Sequence, residues 1–445
     1  MKTSSNLLSR RRRFIPLAVP EPHLNHGIAV EKWRTCHSGL APEFCREQVQ
    51  FEEIREFGAG PSRWIPRKTK RTMPGLALLL ATFLPFLLSA QEMSFEEYDP
   101  PSTLVVPQHK VTRAKYPIID VHSHLWRTDE SYLDSVVVDM DKLNIAILVN
   151  LSGRGFDLIR YPDRRDSEAE TRFLDTFLQN TKKHAGRFIT FTNISYVGID
   201  EPDWTARTVE QIEADVELGA RGLKIYKDLG LTVKYADGRR VPVDDPKLDP
   251  IWEKCGELGI PVLIHSGEPA SFWKPKDKYN ERWLELKQKP QRYRDPKIYP
   301  PWEQVMAEHH HVFEKHPNTI FISAHLGWRG NDLASLGKKL DEHPNMYTEI
   351  GAVLAELGRQ PRFARQWFIK YQDRVLFGKD LWRPQEYHVY FRTLETADEY
   401  FKYYRRRHAF WRLYGLDLPD EVLEKLYYKN ALKIIPGIDV SRFPD

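Results

Sequence analysis

Eight short runs of β-branched and large apolar residues, separated by helical stretches, constrain this chain more than any other feature. They fall at 118–122, 145–151, 188–194, 222–226, 262–265, 320–325, 346–350 and 375–378. Each is four to seven residues long, the length of a barrel strand. Most are near-continuous Val, Ile, Leu and Phe, the composition of strands buried on both faces. Amphipathic stretches such as 167–183 and 208–218 lie between them. Eight strands alternating with helices predict an α/β fold, a (β/α)8 barrel, over an open doubly wound sheet.

Polar residues punctuate the C-terminal ends of these runs. The first reads Pro117-Ile-Ile-Asp-Val-His-Ser-His124. Positions two apart on a strand leave the same face, so His122 and His124 can reach one metal ion. His265 ends the fifth run, His325 ends the sixth, Asp380 follows the eighth, and Lys224 sits in the fourth. One polar strand end has many dull explanations. Repeated on five strands, with His or Asp nearly every time, the pattern predicts a metal site in the barrel mouth, where such folds do their chemistry.

Charge and cysteine usage exclude other classes. Residues 1–72 carry 14 Lys/Arg against 7 Asp/Glu, a surplus of seven, whereas the whole chain is +4. The remaining 373 residues therefore net −3, which gives no support to nucleic-acid binding. Cys36 and Cys45 lie in the basic leader, leaving Cys255 alone in the globular part, where it reads as a small buried apolar residue. Residues 73–90 are uncharged and almost wholly apolar, preceded by Arg67, Lys68, Lys70 and Arg71 and closed by Ser89-Ala90. That layout predicts an export signal, with a membrane anchor as the alternative. Its position 72 residues into the chain places the expected working start near Met73, an expectation that N-terminal mass spectrometry tests. Residues 91–115, with Pro100, Pro101 and Pro107, read as an extended linker into a barrel at 116–437.

The ordered motifs at 122–124, 224, 265, 325 and 380 resemble the amidohydrolase superfamily of metal-dependent barrels. The resemblance is to its amidohydrolase-related branch, which includes aminocarboxymuconate-semialdehyde decarboxylase-like enzymes. Tyr427-Tyr-Lys-Asn-Ala-Leu432 is similar to that branch's closing helix. The resemblance implies metal ligation by His122, His124, His265 and Asp380, with His325 a ligand or a catalytic residue. It leaves Lys224 two roles: a carboxylated bridge between two metals, or a plain lysine on a substrate carboxylate, the preferred reading. Three imidazoles and a carboxylate suit one zinc ion, with manganese as the alternative.

The expected chemistry is hydrolysis of an amide, ester or lactone carbon, with Asp380 moving the proton and His325 polarising the carbonyl. Non-oxidative decarboxylation uses the same residues, and a non-catalytic metal-binding barrel is the third reading. Residues 266–304 form an insertion with nine Lys/Arg, six Asp/Glu and seven aromatics. It reads as a lid for a small anionic substrate, or equally as a surface excursion or homo-oligomer contact. Trp126 and Arg127, just after the strand-1 histidines, are expected to touch substrate. Glu349 is either a support for the site or a hydrogen-bonded barrel residue. His309-His-His311 reads as a helix-surface tract, and 400–407 as an exposed amphipathic helix.

Overall fold

In the computed structural model of the protein, residues 93–444 are described apart from Trp126, 156–166 and 409–410. The eight runs become strands β1 (Ile118–His124), β2 (Ile145–Asn150), β3 (Phe188–Thr190), β4 (Leu223–Ile225), β5 (Val262–Ile264), β6 (Phe321–Ser323), β7 (Met346–Glu349) and β8 (Val375–Leu376). A two-residue strand β9 (Asp380–Leu381) follows. Pairing is parallel, in the orders β3-β2-β1-β9 and β4-β5-β6-β7-β8. A parallel bridge between Thr192 and Leu223 joins β3 to β4. The Val121 N–H donates to the Phe377 carbonyl at 2.9 Å, joining β8 to β1. The cylinder is closed, and the fold is the expected (β/α)8 barrel.

The helices of the outer ring are α1 (Glu130–Leu143), α2 (Ser167–Thr181), α3 (Trp204–Leu218), α4 (Asp249–Glu257), α5 (Trp283–Gln288) and α6 (Trp302–Lys315), then α7 (Leu333–Glu342), α8 (Leu354–Gly358), α9 (Pro361–Lys370) and α10 (Pro384–Glu395). α1 shows how the sequence sets their limits. The Asp129 side chain accepts the Tyr132 N–H at 3.1 Å, and Asn144 in the left-handed region (φ 67°) ends the helix. Between those caps Leu133, Val136, Met140 and Leu143 recur at helical spacing and are buried. Each such side chain contributes roughly 1.5–3 kcal/mol by leaving water. Cys255 on α4 is buried among apolar neighbours, as its setting predicts.

The C-terminal segment closes the barrel. α11 (Asp420–Glu424) passes through a π-helical turn, Lys425–Lys429, into α12 (Asn430–Ile434). The Asn430 amide donates to the carbonyls of Gln372 and Val375 at 2.7 and 2.8 Å, fixing the chain as it enters β8.

Two local expectations need correction. Residues 400–407 are not helical. Phe401 and Leu413 form an antiparallel bridge, and Tyr403 and Arg405 turn inward. The histidine tract lies on α6 as expected, but His309 and His310 are buried and only His311 faces solvent. His309 and His310 fall on the same stripe as Val305, Met306, Val312 and Phe313, the face α6 packs inward. The linker is extended but fastened: the His109 backbone N–H and ring contact Asp398 at 2.6 and 2.5 Å. No helix among the described residues is long and apolar enough to cross a membrane. The leader and the apolar segment 73–90 lie outside the described residues.

Candidate active site

The β1–β2 register slips between Asp120 and Ser123, a bulge of the kind that re-aims side chains at a barrel rim. His122 within it and His124 just past it are both buried. The His122 Nδ1–H donates to Glu349 Oε1 at 2.9 Å, which leaves Nε2 as a lone pair. That Nε2 lies 3.7 Å from Asp380 Oδ1 and has no hydrogen-bond partner among the described residues. His124 Nδ1 contacts Ser152 Oγ at 2.7 Å. His265 follows β5, buried, its Nε2 likewise without a hydrogen-bond partner among the described residues. The His325 ring stands 4.8 Å from that of His122 and 4.6 Å from that of His265, centroid to centroid. Asp380 begins β9 beside Ser123. The strand ends therefore bring together His122, His124, His265, His325 and Asp380.

Glu349, at the end of β7, organises this group more than the sequence suggested. Its fully buried carboxylate accepts from the His122 ring, the His325 backbone N–H at 2.6 Å and the Gly351 backbone N–H. Two glycines make room for it. A Cβ on Gly378 would stand 2.3 Å from Glu349 Oε2, and one on Gly351 would stand 2.6 Å away. The backbone is strained at the same place: His325 has φ 57° and Asp380 φ 86°. Such conformations cost about 1–3 kcal/mol each and persist only where surrounding contacts enforce them. The His325 Nδ1–H donates to the Gly351 carbonyl at 2.7 Å, so its Nε2 is an acceptor in the neutral ring.

Burial, helped by the charge of Lys224, pushes His122 far below its ordinary range and His124 to about 3. Burial, then His325, does the same to His265. These imidazoles are neutral at pH 7, the form that binds metal. Burial opposes the charge on Asp380, but His325 and the Arg405 guanidinium outweigh it and hold the carboxyl well below the usual range. Asp120, pushed up to about 7 by burial, anchors the strand end: it accepts the His122 N–H at 3.0 Å and the Tyr387 hydroxyl at 2.6 Å.

The residues fit a divalent metal. His122, His124 and Asp380 offer one ligand atom each within 4.8 Å of one another, as do His122, His325 and Glu349. The second set is already joined by the His122–Glu349 hydrogen bond, in which Glu349 orients the ring. The first set leaves His122 Nε2, a buried nitrogen without a hydrogen-bond partner, facing the carboxylate.

Above the strand ends opens a cavity of about 890 Å³ whose wall includes His124, His265, His325 and Asp380. Nine Lys/Arg and five Asp/Glu line it. The insertion supplies much of this wall, through Glu268, Phe272, Arg282, Arg292 and Arg294 among others. Lys227 also lines it, held at 2.5 Å by Glu268. Two expected substrate contacts lie off this wall. Arg127 is exposed, pairs with Asp129 at 2.8 Å and stays out of the cavity, because the chain leaves the barrel rim there to cap α1. Lys224 is 2% exposed, and its Nζ is enclosed without a hydrogen-bond partner among the described residues. It does not line the cavity, since an inward-facing residue in the middle of β4 lies below the mouth. Burial lowers its ammonium to about 7. Trp126 lies outside the described residues. The residue sequence reasoning missed is Arg405: its side chain is 10% exposed, and its guanidinium lies 3.9 Å from Asp380 Oδ2 on the cavity wall. A run of three arginines beside aromatics, Tyr403-Tyr-Arg-Arg-Arg407, was the available signal.

A parallel barrel gathering imidazoles and a carboxylate beneath a cation-rich cavity defines a metal-dependent barrel enzyme. The amidohydrolase family profile matches residues 119–436, nearly the whole barrel, and the chain belongs to that family. It is an enzyme of the amidohydrolase superfamily, on the amidohydrolase-related branch. No curated protein sequence matches it. Among solved structures it is similar to 2,6-dihydroxybenzoate decarboxylase from Rhizobium, at 14% identity over 72% of this chain and 98% of that one, TM-score 0.45. It is also similar to 5-carboxyvanillate decarboxylase from Novosphingobium aromaticivorans, at 15% identity over 74% and 99%, TM-score 0.44. A TIM-barrel protein from Bordetella bronchiseptica matches at 16% identity over 72% and 98%, TM-score 0.42.

Proposed function

We propose that this protein is a metal-dependent hydrolase that opens an amide, ester or lactone bond in a small anionic substrate. The observation that carries this reading is the placement of Asp380. Its carboxylate lies on the cavity wall between His122 Nε2 at 3.7 Å and the Arg405 guanidinium at 3.9 Å, and it is held ionised. A carboxylate kept charged in that position starts as a base.

His122, His124 and Asp380 would hold one divalent cation, zinc or manganese, with His265 the next ligand. Such an ion supplies Lewis acidity and lowers the pKa of water to about 7. Asp380 takes the proton of the attacking water and returns it to the leaving amine or alkoxide. His325, its Nδ1 committed to Gly351, offers Nε2 as a second proton acceptor and donates only once protonated. Arg405 and Arg292 hold the substrate's anionic group by charge-assisted hydrogen bonds. Lys224 is held behind the ligands, and a second metal enters this reading only if that lysine is carboxylated.

One observation favours a second reading, non-oxidative decarboxylation. The surplus of cations over acids in the wall suits a substrate whose carboxylate is the reacting group. One experiment separates the two. The full-length protein is loaded with zinc or manganese and offered carboxylates that carry an ester, lactone or amide. Cleavage without release of CO2 is the expected result. Release of CO2 with no cleavage would replace hydrolysis by decarboxylation.

A further inference from the structure

Two loops wall the cavity, and a single extended segment ties both of them down. Glu96 pairs with Lys287 on α5, inside the insertion, at 2.7 Å. Three residues on, Asp99 accepts from Lys402 Nζ through Oδ2 and from Arg412 Nη2 through Oδ1, each at 2.8 Å. The neighbouring Tyr98 carbonyl accepts from Arg406 Nη2 at 2.7 Å. Lys402 and Arg412 are not arbitrary points on the second loop. Phe401 and Leu413, the residues beside them, exchange backbone hydrogen bonds of 2.9 and 2.8 Å, so the two cations face each other at the loop's base. Without a carboxylate between them they repel. Further along the same loop are Arg405, which reaches Asp380 at 3.9 Å, and Arg406 on the cavity wall.

We infer that Asp99 is a positioning residue for the anion-binding wall: by bridging Lys402 and Arg412 it holds the base of the loop and so aims Arg405 at the reacting centre. This rests on the reading of Arg405 as the clamp for an anionic substrate. Asp99 also stands 4.0 Å from Arg406 on the wall but touches no candidate metal ligand among the described residues, so its effect on Arg405 travels through the loop. The two ion pairs are part-exposed, and pairs of that kind shift an equilibrium by only about threefold to tenfold together.

The test uses the full-length, metal-loaded protein with benzoate as the anionic probe, titrated by calorimetry. Asp99→Asn is compared with wild type, with the double variant Lys402→Ala/Arg412→Ala, and with Arg405→Ala. Thermal midpoint, metal content and tryptic cleavage at Arg405–Arg407 are measured alongside. The expected result is benzoate affinity weakened about threefold to tenfold in Asp99→Asn. Cleavage at Arg405–Arg407 should be faster, with metal content and midpoint unchanged. The double variant should match it and stands in if Asp99→Asn fails to fold. Unchanged benzoate affinity in both, while Arg405→Ala weakens it, would overturn the role of Asp99 and leave the clamp intact. No effect in Arg405→Ala would overturn the clamp itself, and the inference with it.

Discussion

The strand ends and the loops above them are built on different principles. At the strand ends His122, His124 and His325 are held by hydrogen bonds made inside the barrel. Glu349 reaches three donors, Asp120 pins β1 to Tyr387, and Gly351 and Gly378 clear the space between. In the loops the wall is held by ion pairs between segments far apart in sequence, such as Arg282 with Glu356, or Asp99 with Lys402. The first arrangement fixes a geometry, as metal binding requires. The second sets a charge, and it can be rebuilt without disturbing the barrel. One barrel can thus keep its chemistry while its loops choose the substrate.

The sharpest way to break this contrast is to remove a ligand. His122→Ala should take metal content from about one ion per chain to near zero, because it removes the buried Nε2 that faces Asp380 from 3.7 Å, on the residue common to both candidate sets. Inductively coupled plasma mass spectrometry reads this directly, and full metal retention would show that the ions sit elsewhere. Glu349→Gln tests the supporting layer. It keeps the shape but weakens the acceptor for the His122 ring, and metal affinity should fall about 10- to 100-fold. If affinity holds, the orientation of His122 does not depend on Glu349.

The support reaches deeper still. His309 on α6 bridges Ser266 Oγ at 2.9 Å and Ser323 Oγ at 2.8 Å, tying together the ends of β5 and β6. Burial, then Arg329, pushes this imidazole down to about 3. Between its ordinary value near 6.5 and that value, the unfolded chain binds a proton that the folded chain refuses. Stability is thus fully present above pH 6.5 and lost as pH falls toward 3, by up to about 1.4 kcal/mol per pH unit for this one group. His309→Gln should flatten that loss. Urea midpoints at pH 7.0 and 5.5 compare the two proteins, and equal slopes would remove His309 from the account.

The same contrast explains what the sequence made legible. Strands buried on both faces announce themselves as apolar runs, and ligands at their ends stand out as polar exceptions, which is why His122, His124, His265, His325 and Asp380 could be found. Glu349 fits that rule, yet one acid on a strand does not say which partners it reaches. Arg405 breaks the rule. A loop closed by a Phe401–Leu413 bridge has no period, and an arginine that turns inward reads in sequence like one facing water. His309 was misread for the opposite reason, since polar residues on a helix suggest solvent until the 3–4 spacing of their apolar neighbours is weighed.

Arg405→Ala is the matching test of the loops. Hydrogen bonds to a charged partner are worth about 1.5–3 kcal/mol, so affinity for a benzoate-class anion should fall at least about tenfold. Metal content should be unchanged, because a guanidinium is no metal ligand and Arg405 stands 3.9 Å from Asp380. Loss of metal together with anion binding would mean that the two layers are not separable.

The smallest expected effect discriminates as well as the largest. Arg127 directly follows the strand-1 histidines in sequence and Arg405 is far from them, so proximity along the chain favours Arg127 as the substrate contact. Proximity in space favours Arg405. The Arg127 side chain is 63% exposed and paired with Asp129, two residues away on the same cap. Exposed pairs of this kind contribute about 0–1 kcal/mol. Arg127→Ala should therefore leave anion affinity and metal content unchanged and shift the thermal midpoint by a few degrees at most. If it instead weakens benzoate binding as much as Arg405→Ala does, the segment after β1 folds over the cavity when ligand arrives. The wall would then be completed by a strand-end residue, and the division between a fixed floor and an exchangeable wall would fail at that edge of the barrel.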